Sequence, residues 1–376
     1  MKKMLFETDL KGHRMEYIHH IYLGMLEHNN DEYIIVVPKD FEEKKKLYEW
    51  PLAEHIKFIY IQERNICHNE PNGLIQYSLY LTKILAKYIK QEKVDCVFLI
   101  SLIGYIVALP FLISPKVKVV GIIYNIYLYI WDSISWKNRL QNIIKYIFMR
   151  MTPCLKTVFI LNDNTAAFKI NKLYLTNKFK YINDPYNELN YEPHSLRNEL
   201  KIADDEKVFL HFGGLAKRKG TLDILNAIAL LPIEQRKKSV FIFAGKIYDE
   251  LKDEFNRIRR TLPDDARLLI FDEFCTNEFF ADLCISSDFV LAPYHITNCS
   301  SGLFAYAATY GIPVIGPDGG LLGNLIKQYK LGTTLSNITP ECIARKLIEV
   351  VPYRIDTEYK EKIKVKHFID EIFLNF

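Results

Sequence analysis

The sequence predicts an α/β protein built from two consecutive doubly wound domains with parallel sheets. Three observations lead there. Short apolar runs of strand length alternate with longer stretches of helical periodicity in both halves of the chain. A polar segment at 184–203, with two prolines and weak periodicity, separates the two alternations. The chain of 376 residues is also too long for one simple core.

In the first half, strands are expected at 3–8, 33–37, 56–61, 94–101, 118–124 and 157–161, and helices at 13–27, 74–91, 137–150 and 164–172. The run 96–113 carries no charge over 18 residues, the length of a membrane-spanning helix. Ser101, Gly104, Tyr105 and Pro110 break it where a strand-to-helix turn belongs. A parallel strand covered on both faces also reads as an unbroken apolar run. The expectation is a buried strand, a turn at Gly104, and a helix from Tyr105 that Pro110 interrupts or restarts.

The second alternation gives strands at 208–213, 240–245, 268–271, 289–294 and 313–315, with helices at 220–231, 249–261 and 278–286. Two further helices follow, one opened by Ser300, Ser301 and Gly302, the other after the turn 317–320. The tail 357–376 keeps an apolar stripe to its end and reads as a docking helix. The expected domains are therefore 1–183 and 204–350, joined by the linker 184–203 and followed by 351–376.

Composition is that of a globular protein, 49% hydrophobic and 25% charged, with a net charge of only +4. Nucleic-acid binding calls for a concentrated basic patch, and the triplet Lys217, Arg218, Lys219 is too short to make one. Seven cysteines, at 67, 96, 154, 275, 284, 299 and 342, are scattered without a Cys-x-x-Cys pair. That pattern implies reduced thiols in a cytoplasmic protein, with packing the expected role for Cys299. The first ten residues lack the apolar run of a signal peptide.

Chemistry concentrates in two stretches. In 298–332, a helix opened by Ser300, Ser301, Gly302 and Leu303 would present free N–H groups and a positive dipole end, suited to a phosphate. In 208–231, a strand ends at the Gly213–Gly214 pair, which allows close backbone approach, and Lys219 can reach a diphosphate. A tight strand-to-helix turn with a solvated basic loop explains the second stretch equally well.

Together these stretches resemble the donor site of GT-B glycosyltransferases of the group 1, family 4-like type. The resemblance implies two Rossmann-like domains facing each other across a cleft. Lys219 and Gly220 match the family's Lys-Gly pair, while Gly214 stands where its arginine falls, leaving that contact to Lys217 or Arg218. The family's two glutamates, eight residues apart, are replaced by Asn298 and Tyr306. An amide still bonds sugar hydroxyls, and a tyrosine can stack or make one hydrogen bond, or simply pack in the core. By the same resemblance Phe271 and Phe274 line a base pocket and Gly12 belongs to a glycine loop near the donor phosphates. A histidine expected at 124–125 is absent. His13, Glu16 and Asp132 are the remaining catalytic candidates, although His13 and Glu16 read more readily as polar groups at a helix start.

The implied activity is transfer of a sugar from a nucleotide-activated donor to a glycan or lipid-linked acceptor in bacterial surface polysaccharide synthesis, with anomeric retention. The nucleotide-sugar is a substrate, so no cofactor is expected. No Asp-x-Asp stands at a strand end, and no metal is expected either. The alternatives are a catalytically weak GT-B subunit that binds nucleotide-sugar or a partner transferase, and a nucleotide-sugar epimerase. The last helix of such proteins crosses back to the first domain. Segment 127–151 mixes aromatic and basic residues. It suits either peripheral contact with the inner membrane or a core helix with a solvated basic side.

Overall fold

The computed structural model describes all residues except 12–13, 63–72, 133 and 187–188. The chain forms two compact units, Met1–Asn183 with Val365–Phe376, and Asp184–Lys364. In the first, strands β1 (Lys2–Phe6), β2 (Glu32–Val37), β3 (Ile56–Tyr60), β4 (Cys96–Leu99), β5 (Lys118–Ile123), β6 (Leu155–Leu161) and β7 (Phe179–Ile182) form one sheet. Their order is β3-β2-β1-β4-β5-β6-β7, and every pairing is parallel. In the second, β8 (Lys207–Phe212), β9 (Ser239–Ala244), β10 (Arg267–Phe271), β11 (Phe289–Leu291), β12 (Val314–Pro317) and β13 (Gly332–Leu335) form another. Its order is β10-β9-β8-β11-β12-β13, again parallel throughout. Each sheet grows in both directions from its first strand, so strand order reverses beside β1 and beside β8. The carboxyl ends of those strands are where a doubly wound sheet receives a ligand.

The strands form because they are buried on both faces. All of β4 and β9, and all but the first residue of β1, β2, β5 and β8, are inaccessible, which rewards unbroken Val, Ile, Leu and Phe runs. Two edge strands go beyond the sequence expectation. β7 (FKYI) and β13 (GTTL) are short and only partly buried, so neither carries an apolar run; pairing with β6 and β12 is what makes them strands.

The uncharged run 96–113 resolves into β4, a series of turns, and a short helix Leu109–Leu112 with Pro110 in its first turn. The helix expected from Tyr105 is thus corrected to one that starts at Leu109, because proline tolerates only a helix's opening turn. Among the described residues no helix is long and apolar enough to cross a membrane.

Segment 184–203 lies in the second unit, tied to the helix Asn277–Ser286. Tyr191 Oη donates to Asp282 Oδ2 at 2.8 Å, and Leu196 N–H donates to Ser286 Oγ at 2.7 Å. The tail is two helices, Tyr359–Lys362 and Val365–Phe373, rather than one. The second packs on the helix Arg14–Glu27 in the first unit, with Phe368 stacked on Tyr17 at 5.4 Å and Phe373 on His28 at 4.4 Å.

Candidate functional site

At the carboxyl end of β8 the chain passes through Gly213, at φ +86°, and Gly214 into the tight turn Lys217–Lys219. Gly220, at φ +73°, then opens the helix Thr221–Ala229. Buried His211 anchors this passage. The Leu291 carbonyl only accepts, so Nδ1–H donates to it at 2.9 Å, and Nε2 accepts from Thr221 Oγ1 at 2.9 Å. The Ala216 carbonyl, 3.2 Å away, is the weaker competitor for the same hydroxyl proton. Burial pushes the imidazole down to about 4, so it is neutral and fixes the turn between β8 and β11.

Lys219 is half-buried, and its Nζ stands 3.1 Å from where a Cβ on Gly213 would be. The same nitrogen lies 5.5 Å from the Tyr294 ring centroid. Among the described residues Lys217, Arg218 and Lys219 have no carboxylate partner. Arg218 contributes its carbonyl, which accepts His295 N–H at 2.9 Å. The Lys219 ammonium therefore stands at a sheet switch point without internal neutralisation, with exposed Lys217 and Arg218 on the same turn, an arrangement that favours an anion. Gly214 is held against Tyr248, whose Oη would be 2.8 Å from a Cβ there, which leaves no room for an arginine unless Tyr248 moves.

Tyr294 Oη lies 3.2 Å from Ser301 Oγ, joining this turn to the second stretch. The helix expected to start near Ser300 starts instead at Leu303 and ends at Thr309, with Gly302 as its cap. Ser300 and Ser301 belong to the preceding loop, and Ser300 Oγ donates to Asp184 Oδ2 at 2.7 Å. Gly302 has no side chain to cap the helix and faces open space. No described protein acceptor takes the N–H groups of Gly302 and Leu303, which remain available to a ligand.

Tyr306 Oη donates to Asn277 Oδ1 at 2.8 Å, and its ring meets Tyr186 and Phe212 edge-on at 5.0 and 5.6 Å. Asn298 is buried in the loop before the helix. Phe271 ends β10 and packs edge-on to Phe279 at 5.1 Å, whereas Phe274 is 92% exposed. The structure thus gathers Gly213, Gly214, Lys219 and, through Tyr294, Ser301, and leaves Phe274 in solvent.

In the first unit, Gly12 and His13 lie outside the described residues. Glu16 is half-buried on its helix, with Oε1 3.8 Å from His20 Nε2. Asp132 is exposed in a loop where its carbonyl accepts from Arg139 Nη2 at 3.3 Å. Glu7, which falls inside the expected first strand 3–8 and is not among the expected site residues, is a further candidate. It sits just past β1 at the switch point, fully buried. Its Oε1 accepts from the Thr8 and Asp9 N–H groups at 2.8 and 3.0 Å and lies 3.3 Å from Arg14 Nη1, while Oε2 has no described partner. Burial, only partly offset by Arg14, pushes this carboxyl up to about 7. The available signal was an acidic residue directly after the apolar run Met4–Phe6 that ends the strand. Among the described residues no three His, Cys, Asp or Glu side chains are grouped to hold a metal ion.

No family model matches the sequence, and no curated protein matches it. Solved structures do match over nearly the whole chain. HepE from Anabaena, solved in complex with UDP-glucose, aligns with a TM-score of 0.63 at 15% identity, over 99% of this chain and 94% of its own. WaaG, a glycosyltransferase involved in lipopolysaccharide biosynthesis, aligns at 0.61 and 14%, over 93% and 91%. Sucrose-phosphate synthase from Thermosynechococcus elongatus aligns at 0.65 and 12%, over 100% and 94%. Likeness at such identities establishes architecture: the chain has the GT-B fold of two Rossmann-like domains.

Proposed function

We propose that the protein is a glycosyltransferase that moves a sugar from a nucleotide-activated donor to a glycan or lipid-linked acceptor in bacterial surface polysaccharide synthesis. The observation that carries this reading is Lys219, half-buried, without a carboxylate partner among the described residues, and held over the Gly213 backbone at the β8 switch point. Departure of a nucleoside diphosphate places charge on its phosphate oxygens, and a preorganised cation beside free backbone N–H groups stabilises that charge. Lys219 and the Gly302 and Leu303 amides fill those roles, with Lys217 and Arg218 as the nearest auxiliary cations. No metal is required in this scheme, and the nucleotide-sugar is a substrate rather than a cofactor. Glu16 and Asp132 are candidate acceptor-side groups, with retention as the expected outcome at the anomeric carbon.

Calorimetric titration with nucleoside diphosphates tests the site. Lys219→Ala should weaken binding by roughly tenfold to a hundredfold, since a hydrogen bond to a charged group is worth about 1.5–3 kcal/mol. Unchanged affinity would sink the assignment.

A second reading, a nucleotide-sugar-binding subunit with weak catalysis, is favoured by one specific observation. Asn298 and Tyr306 bring no carboxylate to the site, and the Tyr306 hydroxyl already bonds Asn277. Transfer and hydrolysis assays over a panel of donors, with and without EDTA, separate the two. Binding without turnover for any donor favours the subunit.

A further inference from the structure

The helix Trp136–Met151 presents an apolar stripe to solvent. Only Tyr146 and Met149 on it are buried. At about 100° per residue, Trp136, Leu140, Ile144, Ile147 and Met151 fall within an arc of about 80°, on the side away from those two. All five are exposed, from 37% at Ile144 to 69% at Trp136. Phe111, packed edge-on to Phe148 at 6.2 Å and also exposed, widens the patch. A stripe of this length on one helix exceeds the scattered exposed apolar residues of an ordinary surface.

Charge identifies the occupant. The helix carries Lys137, Arg139, Lys145 and Arg150 and no acidic residue. On the same projection Lys137 borders the stripe on one side and Arg139 and Arg150 on the other. None of the four has a carboxylate partner among the described residues. Apolar side chains at the centre, cations along both borders and a tryptophan at one end are what a helix needs to lie in a bilayer interface with anionic headgroups.

We propose that this face of the first unit docks on an anionic lipid bilayer, with the helix lying in the plane of the interface. The inference does not rest on the nucleotide reading. Its test is sedimentation of the full chain with vesicles of phosphatidylcholine alone or mixed with phosphatidylglycerol. Binding to the mixed vesicles should exceed binding to the neutral ones at least tenfold and fall as salt rises. Leu140→Glu with Ile147→Glu should lower binding by roughly tenfold or more, because each removes a side chain worth that much in partitioning. The circular dichroism spectrum and the thermal unfolding transitions should stay unchanged in the same double variant, as a check that it folds. Lys137→Gln with Arg150→Gln should abolish the preference for anionic vesicles. Wild-type chain that stays in the supernatant with both vesicles overturns the proposal. A dimer in solution that the double glutamate variant dissociates overturns it in favour of a second copy.

Discussion

At Gly220 the backbone adopts φ +73°, and a Cβ would stand 2.2 Å from the Pro293 carbonyl oxygen, a rigid neighbour. Gly220→Ala should therefore cost roughly 2–4 kcal/mol in urea unfolding of the second unit. Nucleotide affinity should fall with it, because the strained position sets where Lys219 points. A variant that keeps wild-type stability would show that the turn relaxes without consequence. The turn itself, with this residue, Lys219 and the Gly213–Gly214 pair, was legible in the sequence as glycines around a basic triplet after an apolar strand, although the same pattern also fits a solvated basic loop. Glu7 was not. Nothing local distinguishes a strand-terminal glutamate in water from one whose carboxylate is closed over by Tyr105, Arg14 and the turn that follows β1.

The same division holds for elements. Interior strands such as β4 and β9 are readable because burial on both faces demands continuous apolar side chains. The edge strands β7 and β13 are defined by a neighbour's hydrogen bonds and leave little trace in composition. The start of the helix Leu303–Thr309 is of this second kind: Ser300 is a good cap by type, yet its hydroxyl bonds Asp184 and the helix begins three residues later. Helix docking has its own steric requirement. A Cβ on Gly24 would come within 2.4 Å of the Phe373 ring, so the glycine lets Val365–Phe373 lie close against Arg14–Glu27. Gly24→Ala should destabilise the first unit by about 1–3 kcal/mol, the usual cost of overpacking. Limited proteolysis should then release the C-terminal helix faster. A cleavage rate equal to wild type would mean that the Phe373 ring simply rotates away.

For the whole molecule, the two units respond to pH in opposite senses through their buried titratable groups. In the first, Glu7 is pushed up from 4.5 to about 7. Its stabilising contribution is complete below pH 4.5 and is lost as pH rises through 7. In the second, His211 is pushed down from 6.5 to about 4, so stability is lost as pH falls from 6.5 toward 4. Each is worth about 3 kcal/mol over its window. His19, whose burial also lowers its pKa, opposes part of the trend in the first unit. Calorimetry from pH 5 to pH 8 should show one transition moving down and the other up, and Glu7→Gln should flatten the first. Transitions that move together, unaltered by Glu7→Gln, would refute this assignment.

The sequence by itself determined the alternation of buried strands and amphipathic helices, the division into two α/β units and the basic Gly-rich turn after β8. Each follows from local chemistry: side-chain periodicity, apolar content and backbone freedom. Tertiary structure alone decided the rest. It closed Glu7 and His211 away from water and shifted their protonation, engaged Ser300 and Tyr306 with Asp184 and Asn277, and exposed one face of the Trp136–Met151 helix. Desolvation and hydrogen-bond partners are properties of neighbours brought together from distant parts of the chain, and no local stretch encodes them.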